Sequence, residues 1–257
     1  MLKTVNEVRS QISPNLQKLL NDSLLESDDP RPLMFGDEQE FKTIKGKPFH
    51  AEINACFSPV KNRFIIFLKQ IDKIGSKEEC DISHEIVHLW LLLLGLPSEK
   101  ESTNRDRQAA WDTFFGPLRE IMEHAVYYPL IKNIYQINLY KIGTERLDHF
   151  IKSQLPSLKN ESEPEKLLLL LNYIKYEVES DDHYALEGLH NAYSKKAVDV
   201  KNVADILLPV VRKLASIKDA QFFIAQYRKI LKIIGTNFCI PENLWPNFVT
   251  QINTCRL

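Results

Sequence analysis

His84, Glu85 and His88 carry the strongest chemical signal in the sequence. They lie in "DISHEIVHLW" (81–90) in the order H-E-x-x-H, among neighbours that are mostly apolar. On a helix, residues four apart stand one above the other on a single face, so the two imidazoles can share one metal ion. Zinc suits such a pair, because it takes neutral imidazole nitrogens and keeps a position open for water in a catalytic site. Glu85 follows His84 by one residue and is rotated about 100° around the helix axis. From there it can take a proton from water at the ion without ligating the ion itself, the role of a general base. The plainer alternative is a core helix whose imidazoles and carboxylate are satisfied by hydrogen bonds. Burying all three without a metal is costly, which favours the metal.

The elements that must hold this motif are legible in its flanks. Ile82, Ser83, Ile86, Val87 and Leu89 are uncharged, so the motif helix can be buried. "SKEE" supplies a start, with Ser76 as N-cap and Glu79 at N3 of a capping box, and Gly95 followed by Pro97 supplies the stop. Ahead of it, "PFHAEINACF" (48–57) and "NRFIIFLKQI" (62–71) are β-like runs joined by "SPVK", which reads as an antiparallel hairpin. Residues 3–25 carry a helical period interrupted by Pro14, and "ESDDPRP" reads as a loop. Downstream, "SEKESTNRDRQ" (98–108) is a polar connection. A second helix starts near Pro117 and is kinked or divided at Pro129. From about 145 to 257 helices and loops alternate, with "PSLKNESEPE" the most linker-like stretch. "KLLLLLNYI" (166–174) and "FFIAQYRKILKII" (222–234) read as core helices, the second with a partner-binding face as its alternative. The expectation is an α+β fold, mostly helical, with a small N-terminal antiparallel sheet. Residues 1–140 form the lobe with the motif and 141–257 a helical C-terminal lobe.

An H-E-x-x-H helix behind a β-hairpin resembles the zincin metallopeptidases, closely over His84–His88 and more broadly over residues 48–135. The resemblance implies bound Zn2+, a peptide or protein substrate, and hydrolysis by metal-activated water. The metzincin branch needs a glycine and a third histidine soon after the motif, where Leu91 and Leu94 stand here. The other signature segments of peptide deformylase are absent. What remains is the gluzincin arrangement, whose third ligand is a glutamate on a later helix. "LREIMEHAVYYP" then offers Glu123, with Glu120 and His124 as alternatives. Glu123 is preferred because "EH" followed by two tyrosines is the densest concentration of site chemistry outside the motif. The asparagine and aspartate that often flank the family's ligand glutamate are missing. Met122 and Tyr127 stand at those distances from Glu123, and Arg119 and His124 at those from Glu120.

Tyr127, one turn after Glu123, and Tyr128 are the nearest candidates for stabilising an oxyanion, with packing in the core as the alternative. His183, Tyr184 and His190 in "DDHYALEGLHNAY" are candidates for a contribution from a second lobe, set against a solvated helix face. Iron or manganese would also accept two histidines and a carboxylate. Two further functions stay open: a metal-retaining binding or regulatory module without peptidase activity, and a structural helical protein with no metal.

Bulk properties narrow the classes further. The 257 residues are 44% hydrophobic and 26% charged, with a formal net charge of −1. That charge gives no general attraction to nucleic acid or anionic membrane, so neither is an expected partner. The longest apolar run, Leu89 to Leu96, falls far short of the roughly 20 residues a span requires. Four cysteines without a C-x-x-C pair argue against a disulfide scaffold. The chain reads as soluble and cytoplasmic, with its oligomeric state left open.

Overall fold

Strand and helix boundaries follow from a few local decisions, and together they make an α+β protein that is mostly helical. The computed structural model describes residues 2–25, 31–49, 55–60, 62–69, 71–72, 74–93, 104–216, 220–240 and 242–246. The chain divides into two compact units, Met1–Leu96 with Ile131–Leu139, and Pro97–Leu130 with Tyr140–Leu257.

In the first unit, β1 (Lys3–Thr4), β2 (Leu33–Gly36), β3 (Ala55–Val60) and β4 (Arg63–Leu68) form a four-stranded sheet in the order β1-β2-β4-β3. The expected hairpin is present as β3 and β4, antiparallel, with Phe57 opposite Ile66 and Val60 opposite Arg63. Ser58, Pro59 and Val60, expected in the turn, instead extend β3. Residues 50–54 of the first expected run lie outside the described residues. The sheet is mixed rather than antiparallel, because β2 runs parallel to β4 with Met34 opposite Ile65. "LMFG" is too short for alternation to register in the sequence, and a parallel neighbour requires a long crossover. Helix α3 (Glu38–Lys45) lies within that crossover, capped by Asp37 and ended by Gly46 at φ 68°. The central strand β4 is buried at every position after Arg63, as expected of a strand covered on both faces. On one face Phe41, Phe49, Ile65 and Phe67 form a cluster with edge-on aromatic contacts of 4.9 and 5.1 Å.

After the short helix α1 (Val5–Val8), Pro14 opens α2 (Pro14–Leu25) rather than interrupting a helix. A missing N–H costs nothing in a first turn. The motif helix α4 (Ser76–Leu93) packs against β3, β4 and α2. Its start departs from the expected capping box. Glu78 reaches back to the Gly75 N–H at 2.9 Å, while Glu79 accepts the Ser13 N–H at the start of α2. The expected stop at Gly95 lies outside the described residues.

The second unit is helical. α5 (Arg105–Ala110) starts within the stretch expected as a connection, with Asn104 accepting the Arg107 N–H at 3.1 Å. α6 (Gly116–Leu130) contains Pro129 without being divided by it. There follow α7 (Tyr140–His149), α8 (Glu163–Glu179), α9 (His183–Lys196), α10 (Val198–Arg212) and α11 (Ala220–Phe238). The leucine run lies on α8 and buries Leu169, Leu170 and Leu171 while Leu168 faces outward. α8 packs on α6, α7 and α10, so it forms the centre of the unit. α11 buries Phe223, Tyr227, Ile230, Leu231 and Ile234 as a core helix. Among the described residues, no helix is long and apolar enough to cross a membrane.

Candidate metal centre

In the first unit, α4 sets His84 and His88 one turn apart with ring centroids 4.9 Å from each other and planes at 86°. Both imidazoles are half-buried, so a ligand from outside can reach them. Between them along the chain, Glu85 turns toward the sheet and is buried. Its Oε2 accepts the Phe57 N–H of β3 at 2.6 Å, and its Oε1 lies 3.0 Å from His84 Nδ1. Burial alone would raise this carboxyl. The contact with His84, the charges of His84 and His88, and the Phe57 N–H outweigh burial and hold the carboxyl below its ordinary value. Asp81, one turn earlier, keeps Oδ2 buried without a hydrogen-bond partner, and burial raises its carboxyl. The donor chemistry of the pair, two imidazoles at one-turn spacing beside an ionised carboxylate, fits a divalent transition-metal ion such as zinc.

In the second unit, α6 presents the remaining candidates on two adjacent stripes. Arg119, Glu123 and Tyr127 succeed one another at four-residue spacing. Arg119 Nε donates to Glu123 Oε1 at 2.6 Å, and both side chains are largely buried. Tyr127 is 2% exposed. Burial and the charge of Glu123 push its phenol far above the ordinary value. The second stripe holds Glu120, His124 and Tyr128. His124 is 3% exposed, and its Nδ1 lies 2.8 Å from Glu179 Oε1 at the end of α8. Its ring stacks on Tyr128 with centroids 4.7 Å apart and planes at 25°, and Glu120 Oε1 lies 3.9 Å from its Nε2. Buried beside Glu179 and Glu120, the Tyr128 phenol is also well above its ordinary value.

Of the residues singled out by sequence, the motif trio therefore shares one helix face and its flank, and Glu123 lies beside Tyr127. His190 is bound through Nε2 to the buried Glu177, while His183 and Tyr184 are exposed. Three participants carry little or no sequence signal: Glu179, 55 residues beyond His124; the Phe57 amide, which has no side-chain signature; and Arg119, which i, i+4 spacing could have flagged. In comparisons with known proteins, the chain matches no family model, no curated protein and no solved structure.

Proposed function

We propose that this protein is a cytoplasmic metal-dependent hydrolase of peptide bonds, with His84, His88 and His124 as protein ligands and Glu85 as general base. The observation that carries the reading is the setting of Glu85. Its carboxylate is buried beside the imidazole pair, ionised, and steadied by the Phe57 amide and His84. A fixed anionic base next to the ligands is what deprotonating water at that place requires. A bound zinc ion would make water more acidic and polarise the scissile carbonyl.

The reading moves the third ligand from Glu123 to His124. Glu123 is already neutralised by Arg119, whereas His124 has a carboxylate on one ring nitrogen, the arrangement that orients a metal-binding imidazole. Tyr127 stays protonated at neutral pH and is the proposed donor to the oxyanion of a peptide or protein substrate.

Elemental analysis and a peptide library test this. The protein should carry one zinc per chain, and Glu85→Gln should keep the metal while losing about 10²- to 10⁴-fold in cleavage rate. Equal cleavage by both forms removes Glu85 from the mechanism, and absence of metal ends the proposal.

One observation favours a second reading. Both Glu85 oxygens are engaged, as they would be if the carboxylate pinned α4 to β3 in a metal-retaining binding module. Zinc in both forms with cleavage by neither would select that module.

A further inference from the structure

Glu179 is the last residue of α8, and its side chain is 4% exposed. A buried carboxylate at a helix end needs a partner, and His124 Nδ1 at 2.8 Å provides it. What seats Glu179 there is a backbone contact from α7. A Cβ built on Gly143 would fall 1.9 Å from the Glu179 carbonyl oxygen, 2.6 Å from its carbon and 2.7 Å from its Cβ. The two nearest of these are backbone atoms, so no rotamer change relieves the overlap. The helices approach this closely only because residue 143 has no side chain. The neighbouring residues fasten the same joint, with Thr144 Oγ1 2.9 Å from Ser180 Oγ.

Resting on the metal-binding reading above, we infer that Glu179, seated by the contact at Gly143, is a positioning residue for the imidazole of His124. An imidazole ligates only through a nitrogen that bears a lone pair. A carboxylate accepts hydrogen bonds and cannot donate them, so it selects the tautomer with the proton on Nδ1. That tautomer leaves the lone pair on Nε2 for an ion, and the stack on Tyr128 fixes the ring plane. A glutamine at 179 both donates and accepts, which removes the selection.

The experiment uses the full chain with Glu179→Gln, Gly143→Ala, both together, and Gly188→Ala as control. A Cβ at Gly188 meets only Ile151 Cδ1 at 3.7 Å, an ordinary contact. Two readouts serve: zinc affinity by competition with a chelating dye, and the ring ¹⁵N shifts of His124 in metal-free protein. Glu179→Gln and Gly143→Ala should each weaken zinc binding by about 10- to 100-fold. The double variant should bind no more weakly than Glu179→Gln alone, since both act through one hydrogen bond. The metal-free His124 should pass from the Nδ1–H tautomer to a mixture in Glu179→Gln.

Zinc affinity and tautomer unchanged in Glu179→Gln overturn the inference while leaving the metal centre standing. Losses that add in the double variant overturn the part assigned to Gly143. If Gly143→Ala does not fold while Gly188→Ala does, the tight joint is supported and Glu179→Gln decides the rest. Protein that binds no zinc yet loses its tautomer preference in Glu179→Gln overturns the function proposal and retains the effect of Glu179 on His124.

Discussion

Glu123 and His124 are adjacent in sequence, yet one is held by a cation and the other by an anion. That contrast turns the choice of third ligand into a measurement. His124→Ala should lower zinc affinity by at least about 10-fold more than Glu123→Gln. The Glu123 substitution should act on folding instead, costing ~1–3 kcal/mol in denaturant titrations as the charge-assisted bond from Arg119 is weakened. If Glu123→Gln strips the metal and His124→Ala retains it, the glutamate arrangement implied by the zincin resemblance is restored. His84, Glu85 and His88 are legible because one helix period relates them. The proposed third ligand is not, since its choice depends on what faces each side of α6. Glu179 is distant in sequence and follows no repeat, so no spacing rule could have named it.

At the level of elements, the acidic pair at the start of α4 divides its work. Glu78 serves its own helix through the Gly75 N–H, and Glu79 serves α2 by accepting the Ser13 N–H. A carboxylate near a helix N-terminus satisfies an orphan donor and meets the positive end of the dipole. Glu79→Ala should therefore destabilise the protein by about 0.5–2 kcal/mol in urea titrations, without changing the denaturant slope. A loss confined to Glu78→Ala would show that α2 does not depend on this contact. The capping box read from "SKEE" was placed one residue too late, because α4 already begins at Ser76 and Glu78 is the residue that reaches back to the Gly75 N–H. Glu79 has a partner 66 residues away that a local rule does not consider. The hairpin was legible from two β-rich runs, whereas the four residues of β2 carry too little pattern to announce a parallel partner for β4. Pro14 and Pro129 were both read as interruptions. Pro14 is tolerated because it stands in the first turn of its helix, where no N–H is required, whereas Pro129 lies inside α6 and the winding changes to a π-helix over Ile131–Tyr135 just after it.

For the molecule as a whole, near-zero net charge leaves pH to act through particular groups. Asp199, in the first turn of α10, is one. Burial tends to raise its carboxyl, but Asn160 Nδ2 at 3.1 Å, Lys166 Nζ at 3.0 Å and the Val200 N–H hold it below the ordinary value. A depressed carboxyl stabilises the fold above its unfolded pKa, and that contribution disappears as pH falls through the folded value. Native protein should thus be more heat-stable than Asp199→Asn at pH 7, with the gap closing below about pH 4. A gap that stays constant down to pH 2 would remove Asp199 from the acid response. The α+β class and the helical C-terminal half were legible because long amphipathic segments dominate the chain. The division into units was less so, since residues 97–130 belong with the C-terminal helices while 131–139 return to the sheet-bearing unit.

The hydrogen bond from the Phe57 amide to Glu85 also bears on how copies of this chain meet one another. Among the described residues β3 is the last strand of its sheet, and an exposed strand edge is a template on which other chains can polymerise. Here the Phe57 donor is already occupied, and two residues later Pro59 has none to offer. Two successive outward positions of the strand thereby offer no N–H to an incoming strand, so the residue proposed for chemistry also makes this edge a poorer template for another copy.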